Sequence, residues 1–175
     1  SARLQNSVRV YLVFTLCLIS CWSNPHPPGV DNNSSSDLFL LDEMRTQKER
    51  LVLDSLSIAW NWNVDNDSGG ILIDVIESHG RKRNAIDDEI VFDIKVSLVN
   101  GRECFSFDSL HFVLGHYSGA KAYEEIARFI SPGDSCRALV PSDLGYGVRG
   151  VPGVVPPGAM LLLEIRQIDS AVDPV

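Results

Sequence analysis

Residues 144–159 read LGYGVRGVPGVVPPGA, and this stretch decides how the rest of the chain is interpreted. Glycine and proline make up half of it, which indicates a series of turns rather than a helix or a strand. It lies between two apolar stretches, residues 135–140 and 159–168, which we predict as β-strands. The sequence therefore predicts two strands joined by a long loop over residues 141–158.

The chain before this loop has the two-residue periodicity of β-structure. Ile71, Ile73 and Val75 alternate with more polar neighbours, and residues 90–98 alternate in the same way. Such alternation is typical of half-buried strands. Asn100-Gly101 follows, and both of these residues tolerate the positive φ that a hairpin turn requires. We predict two further short strands, over residues 103–107 and 110–114.

One helix is predicted between these strands and the loop. Its apolar residues fall at i, i+3, i+4 and i+7, the spacing of an amphipathic helix: Tyr123, Ile126, Ala127 and Ile130. Ser118 is a candidate N-cap, and Glu124 and Arg128 form a predicted i, i+4 ion pair. The order of elements predicts an α+β fold, an antiparallel twisted β-sheet wrapped around one short helix.

An N-terminal helical extension is predicted ahead of the sheet, over residues 38–60, with a loop that completes this segment at residue 69. Charged residues there alternate at roughly helical spacing with apolar ones, namely Leu41, Met44, Leu51, Leu56 and Ile58. The pattern leaves open whether this helix docks on a partner or forms part of the domain.

Residues 1–20 resemble a signal peptide of the lipoprotein type. Arg3 and Arg9 are the only charged residues among the first 30, and an apolar run follows them over residues 10–20. The run is shorter than the roughly 20 apolar residues of a membrane span. It ends in Leu18-Ile19-Ser20-Cys21, which resembles a bacterial lipobox. The resemblance implies cleavage before Cys21, acylation of that cysteine, and a flexible tether over residues 21–37.

Charge excludes two kinds of partner. The chain has 15 basic and 23 acidic residues, and its one basic run, residues 81–83, is predicted as a solvated loop, so we expect no nucleic acid partner. The part after Cys21 holds 13 basic and 23 acidic residues, so it is not attracted to anionic lipid. A lipid anchor at Cys21 would hold the protein on a bacterial membrane, in the cell envelope, with the domain facing the periplasm or the exterior.

The cysteines and histidines show no metal-binding spacing, so we predict neither a metal nor a cofactor. We predict Cys104 and Cys136 as free thiols packed in the core, and a disulfide between them stays open.

Residues 144–159 resemble the signature loop of the FKBP-type peptidyl-prolyl cis-trans isomerases, in which an aromatic-Gly pair leads to a hydrophobic pair, Pro-Pro and a final strand. The positions of Leu114-Gly115, Tyr123-Glu124-Glu125 and Pro132-Gly133-Asp134 match as well. We assign residues 70–170 to this isomerase domain. The extension and the lipobox further resemble lipoprotein members of the gliding-motility-associated type.

The resemblance implies proline-containing polypeptide substrates, a role in folding exported or envelope proteins, and no cofactor. Tyr146 matches the loop tyrosine whose hydroxyl bonds the substrate carbonyl, and Tyr123 matches the tryptophan beneath the prolyl ring. The other substrate-binding positions that it implies are Ile94, Gly119, Ala120, Val154, Val155 and Leu163.

The assignment of one further pair of site residues depends on how the chain after Gly101 is aligned with the family. Phe107 and Asp108 match the family's Phe-Asp pair when extra residues follow that glycine. A rival register puts Cys104 or Phe105 there instead.

Three substitutions weaken the aromatic character that the family's pocket has. Tyrosine replaces tryptophan at Tyr123, and aliphatic side chains replace aromatic ones at Ile94 and Leu163. We therefore expect weak isomerase activity. One alternative is a binding or chaperone module that kept the fold and lost turnover. Another is a structural envelope lipoprotein with an unrelated small β domain.

Overall fold

The computed structural model describes residues 32–169, with side chains for residues 39–65 and 69–169. The predicted signal peptide, Cys21 and most of the predicted tether lie outside the described residues. The helices and strands are, in chain order, α1 (Asn32–Ala59), β1 (Asn66–Ser68), β2 (Ile71–Glu77), β3 (Glu89–Leu98), β4 (Glu103–Val113), α2 (Lys121–Phe129), β5 (Ser135–Val140) and β6 (Leu161–Gln167).

Helix α1 begins at Asn32, so residues 32–37 of the predicted tether are helical. The last helix breaker before this point is Gly29, and the Asn and Ser residues that follow weaken a helix only mildly. Residues 32–40 belong to one compact unit, and a second unit, which contains the sheet, begins at Leu41. Neither helix within residues 32–169 has the length and apolar character needed to cross a membrane.

The sheet has six strands in the order β1-β2-β5-β6-β3-β4, and every neighbouring pair is antiparallel. This confirms the predicted fold class, an antiparallel sheet with one short helix and an N-terminal helix before it. Strand β1 lies in the stretch that the sequence predicts as a loop. It is three residues long and, among the described residues, pairs only with β2 at the sheet edge.

Strand β4 replaces the two short strands that the sequence predicts, and a bulge marks the place where they were divided. Ser109 has a φ of 58°, and its backbone N–H donates to the Asp93 carboxylate at 2.9 Å. One extra residue of β4 is accommodated there, so the pairing with β3 shifts.

Helix α2 packs its apolar face on one side of the sheet. Tyr123, Ile126 and Ala127 are buried in the main core with side chains from β2, β3, β5 and β6. The helix begins after Ala120, and no side chain caps it, so the prediction of Ser118 as N-cap is wrong. The Glu124 carboxylate instead reaches back and accepts the backbone N–H groups of residues 115 and 117.

Helix α1 covers part of the opposite side of the sheet. Leu53 is fully buried against Leu72 of β2 and Leu139 of β5, with Leu56, Trp62 and Leu162 packed around them. Burial of a leucine side chain contributes about 1.5–3 kcal/mol. Between Leu41 and Ala59 the helix is therefore part of the folded domain.

A buried carboxylate also fastens α1 to the loop after β5. One carboxylate oxygen of Glu49 accepts the backbone N–H of Ser142 and the other accepts the Ser142 hydroxyl, each at 2.7 Å. Glu49 is 7% exposed and Ser142 is fully buried. The guanidinium Nε of Arg45 lies 3.8 Å from the same carboxylate. Ser142 lies at the beginning of the loop over residues 141–158, so α1 touches the loop that carries the signature residues.

Candidate active site

Backbone hydrogen bonds give the loop over residues 141–158 a fixed shape. The N–H of Gly147 donates to the Ser142 carbonyl at 2.7 Å, and the N–H of Gly158 donates to the Gly147 carbonyl at 2.9 Å. Gly150 has a φ of 61°, and a Cβ there would overlap the carbonyl oxygen of Val155. Both the backbone conformation and the close approach therefore require glycine at position 150.

Tyr146 projects from this loop onto helix α2. Its hydroxyl lies 2.9 Å from the hydroxyl of Tyr123, which is 1% exposed. The N–H of Ala122 donates to the Leu144 carbonyl at 2.9 Å and fastens the start of α2 to the loop. The structure thus brings together the two tyrosines that the sequence assigns to the site.

Burial raises the pKa of both hydroxyls above the ordinary value of 10.0. For Tyr123 the bond to Tyr146 raises the pKa further, whereas for Tyr146 the bond to Tyr123 partly offsets the effect of burial. Both side chains are therefore neutral at physiological pH, and each can donate one hydrogen bond.

Strand β4 supplies the aromatic neighbour of Tyr146. The Phe105 ring meets the Tyr146 ring edge to face, with centroids 5.7 Å apart and planes at 75°. Phe107 lies beyond it, 5.2 Å from Phe105 and 43% exposed. Cys104 is half-buried, and its thiol lies 3.9 Å from the Arg102 carbonyl. Of the three residues whose register was open, Phe105 is the one whose ring contacts the Tyr146 ring.

Asp108 lies at the bulge in β4. It is exposed and lines a shallow depression with Asp93, Lys95 and Ser106. The one-residue shift of pairing at this bulge is the physical reason that the sequence could not assign the register of Phe107 and Asp108.

Four other predicted positions pack in or against the main core. Val155 is buried and Val154 half-buried, both against the main core, and the guanidinium of Arg102 donates to the Val154 carbonyl at 2.8 Å. Ile94 and Leu163 are 2% and 0% exposed, so they pack within the sheet's core.

The segment just before α2 holds the last two predicted positions and one residue that the sequence did not single out. Ala120 is buried and Gly119 is exposed. The ring of Tyr117 lies 5.8 Å from that of Tyr123 and 4.8 Å from that of Phe112. The signal that could have found Tyr117 is Gly119, two residues later, because its missing side chain leaves room for a ring.

No group of three or more His, Cys, Asp or Glu side chains in the described part of the chain is arranged to hold a metal ion. Cys104 and Cys136 are free thiols, the latter buried.

Comparison with known proteins identifies a family for this arrangement. The model of the FKBP-type peptidyl-prolyl cis-trans isomerases matches residues 80–167, half of the chain. An FK506-binding protein of Neisseria meningitidis serogroup B is 30% identical over 105 residues, which cover 56% of this chain and 94% of that protein.

Two further similarities cover different extents. The peptidyl-prolyl cis-trans isomerase FPR2 of Saccharomyces cerevisiae is 36% identical over 58 residues, which are 33% of this chain and 43% of the yeast protein. The chain thus spans less than half of that relative. A crystal structure of a peptidyl-prolyl cis-trans isomerase from Pseudomonas syringae pv. tomato has the same fold, with a TM-score of 0.60, 19% identity, and coverage of 72% of this chain and 92% of that one. The chain belongs to the FKBP-type peptidyl-prolyl cis-trans isomerase family.

Proposed function

We propose that this isomerase assists the folding of exported or envelope proteins, and that it twists X-Pro amides in an apolar pocket at Tyr146. The walls of the proposed pocket are Tyr123, Phe105 and the pair Val154-Val155. The hydrogen bond between the Tyr123 and Tyr146 hydroxyls carries the proposal, because it holds a polar donor at the edge of an otherwise apolar surface. Family membership removes the alternative of an unrelated small β domain.

The pocket would favour the twisted amide over the planar one. Rotation about a peptide bond costs about 18–20 kcal/mol because resonance stabilises the planar form. The twisted form separates less charge, so an apolar surface such as the face of Tyr123 disfavours it less than it disfavours the planar form. This is differential binding of the transition state, and it needs no nucleophile.

Tyr146 would orient the substrate with its free proton. If the buried Tyr123 hydroxyl donates to the Tyr146 oxygen, the Tyr146 O–H is left to donate to a substrate carbonyl. The raised pKa of both groups supports this role, since a neutral phenol is a donor. In this arrangement Tyr123 fixes the direction in which Tyr146 donates.

The envelope role rests on the sequence before the domain. The lipobox-like end of the apolar run makes Cys21 the proposed acylation site. The chain after Cys21 has an excess of acidic residues and is not attracted to anionic lipid, so lipid chains on Cys21 would have to hold the protein on a membrane.

A binding or chaperone module with little turnover is the second candidate. The aliphatic side chains at Ile94 and Leu163 favour it, because neither position supplies an aromatic surface for a substrate. Phe105 and Tyr146 would then bind proline-containing segments without accelerating their isomerisation.

An exchange experiment separates these candidates. NMR exchange spectroscopy on a proline peptide, with an FKBP-directed macrolide as competitor, measures isomerisation directly. We expect accelerated exchange that the macrolide suppresses. Val154→Asp should reduce it at least about tenfold by placing a charge on the proposed wall. Val148→Asp, the same change at an exposed position of this loop, should leave it unchanged. Macrolide binding without accelerated exchange would establish the binding module instead.

A further inference from the structure

Glu49 of helix α1 holds the beginning of the loop over residues 141–158. Its two carboxylate oxygens accept the backbone N–H and the hydroxyl of Ser142, each at 2.7 Å, and both residues are buried. A carboxylate is a strong hydrogen-bond acceptor, and both of its oxygens are used here. Ser142 is therefore held in one position and one orientation by a side chain of α1.

The residues at the beginning of this loop hold the backbone on both sides of Tyr146. The Ser142 carbonyl accepts the N–H of Gly147 at 2.7 Å, and the Pro141 carbonyl accepts the N–H of Gly145 at 3.1 Å. The hydrogen bonds of Ser142 thus run from α1 to the residue directly after Tyr146. A displacement of Ser142 would consequently move the backbone from which the Tyr146 side chain projects.

This support comes from outside the part of the chain that matches the isomerase family. The family match covers residues 80–167, whereas α1 ends at Ala59. The loop that carries Tyr146 is therefore fastened on one side by Ala122 of α2, within the matched region, and on the other side by Glu49, outside it.

We infer that Glu49 is a positioning residue for the isomerase reaction, and that through Ser142 it places Tyr146 where its hydroxyl can reach both Tyr123 and a substrate carbonyl. The inference rests on the proposed function, in which the Tyr146 hydroxyl donates to substrate. A hydrogen bond weakens as its angle departs from linear, so a small rotation of the Tyr146 backbone would weaken this interaction. A misplacement of about 1 Å can cost on the order of 100-fold in rate.

Loss of the carboxylate should lower activity through Tyr146. We expect Glu49→Ala in the full chain to reduce kcat/KM for a proline peptide about tenfold, which lies within the cost of a small misplacement. In a Tyr146→Phe background the same change should reduce kcat/KM less than about twofold, because no hydroxyl remains to be misplaced. The loss of Tm caused by Glu49→Ala should be equal in both backgrounds, which separates positioning from packing.

Two further variants separate the hydrogen bonds of Glu49 from general loosening of the helix. Glu49→Gln keeps an acceptor for the Ser142 N–H and gains an amide that can donate to the Ser142 hydroxyl oxygen, so it should retain most of the activity. Leu56→Ala removes a side chain of α1 that packs around Leu53. It should lower Tm and leave kcat/KM unchanged.

Three results would overturn the inference: equal losses of kcat/KM in the two backgrounds, equal losses in Glu49→Gln and Glu49→Ala, or wild-type kcat/KM in a folded Glu49→Ala protein. If Glu49→Ala does not fold, Ser142→Ala takes its place in the same cycle with Tyr146→Phe. That variant keeps the backbone N–H bond to Glu49 and loses the hydroxyl bond. A loss of activity that disappears in the Tyr146→Phe background would support the inference, and an equal loss in both would overturn it.

Binding distinguishes the failure of this inference from the failure of the proposed function. Titration calorimetry with the same proline peptide measures the dissociation constant whether or not turnover occurs. Absent turnover, with binding that Glu49→Ala weakens only where the Tyr146 hydroxyl is present, would refute the isomerase proposal and support the positioning role. Normal turnover with equal losses in both backgrounds would refute the positioning role alone.

Discussion

The hydroxyl oxygens of Tyr123 and Tyr146 lie 2.9 Å apart, and this bond joins the helix to the loop at the proposed site. Tyr123 is buried within the core, whereas Tyr146 is half-buried at its edge. Packing therefore holds Tyr123 in place, and the hydrogen bond to Tyr123 orients the Tyr146 hydroxyl.

Removal of the outer hydroxyl should lower activity more than stability. We expect Tyr146→Phe to reduce kcat/KM at least about tenfold, equivalent to about 1.4 kcal/mol of transition-state stabilisation, with a small change in Tm. Tyr123→Phe should have a smaller effect because Tyr146 can still donate. A folded Tyr146→Phe protein with undiminished kcat/KM would remove this hydroxyl from the mechanism.

The Tyr123 ring should matter for both activity and packing. Tyr123→Ala should cut kcat/KM at least about tenfold, and it should also cost about 3–5 kcal/mol of stability, as large-to-small core changes do. Circular dichroism and thermal melting must accompany the kinetics to separate the two effects. Full activity in a folded Tyr123→Ala protein would contradict the placement of the site.

The loop should tolerate alanine at Gly147 better than at Gly150. Both glycines have a φ of 61°, but a Cβ at Gly147 meets nothing within 4 Å, whereas one at Gly150 meets the Val155 carbonyl. The backbone cost is shared, so the difference reports the overlap alone, about 1–3 kcal/mol. Urea unfolding of the two variants measures it. Equal losses of stability would contradict the close approach at position 150.

Loss of the Glu49 carboxylate should loosen the loop. Glu49→Ala leaves the buried N–H and hydroxyl of Ser142 without their acceptor, which costs about 1–3 kcal/mol. Ser142→Ala, which retains the N–H bond, should cost less. Amide exchange at Gly147 should accelerate in Glu49→Ala more than in Ser142→Ala. If it does not, the contact stabilises α1 without ordering the loop.

Stability should fall in alkaline solution, first through Cys136 and then through Tyr123. Burial, with a smaller contribution from the charge of Asp134, raises the pKa of the Cys136 thiol from 9.0 to about 12, and burial also raises that of Tyr123. The unfolded chain releases these protons first, so the contribution of these two groups to the free energy of unfolding is constant below about pH 8. It should decline by about 1.4 kcal/mol per pH unit for each group above its unfolded pKa.

Urea titrations between about pH 8 and pH 11 measure this decline. Cys136→Ala should delay its onset by about one pH unit, from the ordinary pKa of a thiol to that of tyrosine. A free energy of unfolding that stays constant throughout would contradict the burial of both groups.

The proposed anchor makes one prediction of its own. Cys21→Ser should leave the protein unacylated and release it from membranes, because lipid chains would supply the binding. Membrane fractionation after a high-salt wash tests this. Continued sedimentation of the variant with membranes would show that something other than Cys21 holds the protein.

The signature loop and the spacing on α2 were enough to predict the fold class and to bring Tyr123 and Tyr146 to one place. The identity of the aromatic beside them was not predictable, because the bulge at Ser109 shifts the pairing of β4 without a glycine to mark it. Tyr117 was missed because a half-buried ring in the irregular segment before a helix belongs to no periodic pattern.

Helix α1 shows a different limit of hydrophobic patterns. Its buried positions include Glu49, Leu53 and Ser57, spaced by four, and two of these three are polar. The apolar residues Leu41 and Met44 are exposed, as are Leu51 and Ile58. A pattern that scores only hydrophobicity selects the wrong side of this helix, since the face toward the sheet is specified partly by a carboxylate and its partner Ser142.

The contact between Glu49 and Ser142 joins positions 93 residues apart, so its two partners are synthesised at different times. A ribosome that adds about 5–20 residues per second makes Ser142 roughly 5–20 s after Glu49. During that interval the Glu49 carboxylate lacks its partner Ser142, and Leu53 lacks part of the surface on which it packs. The interval approaches the tens of seconds of uncatalysed prolyl isomerisation. Closure of the contact between Glu49 and Ser142 therefore waits on synthesis for nearly as long as an uncatalysed prolyl bond takes to isomerise.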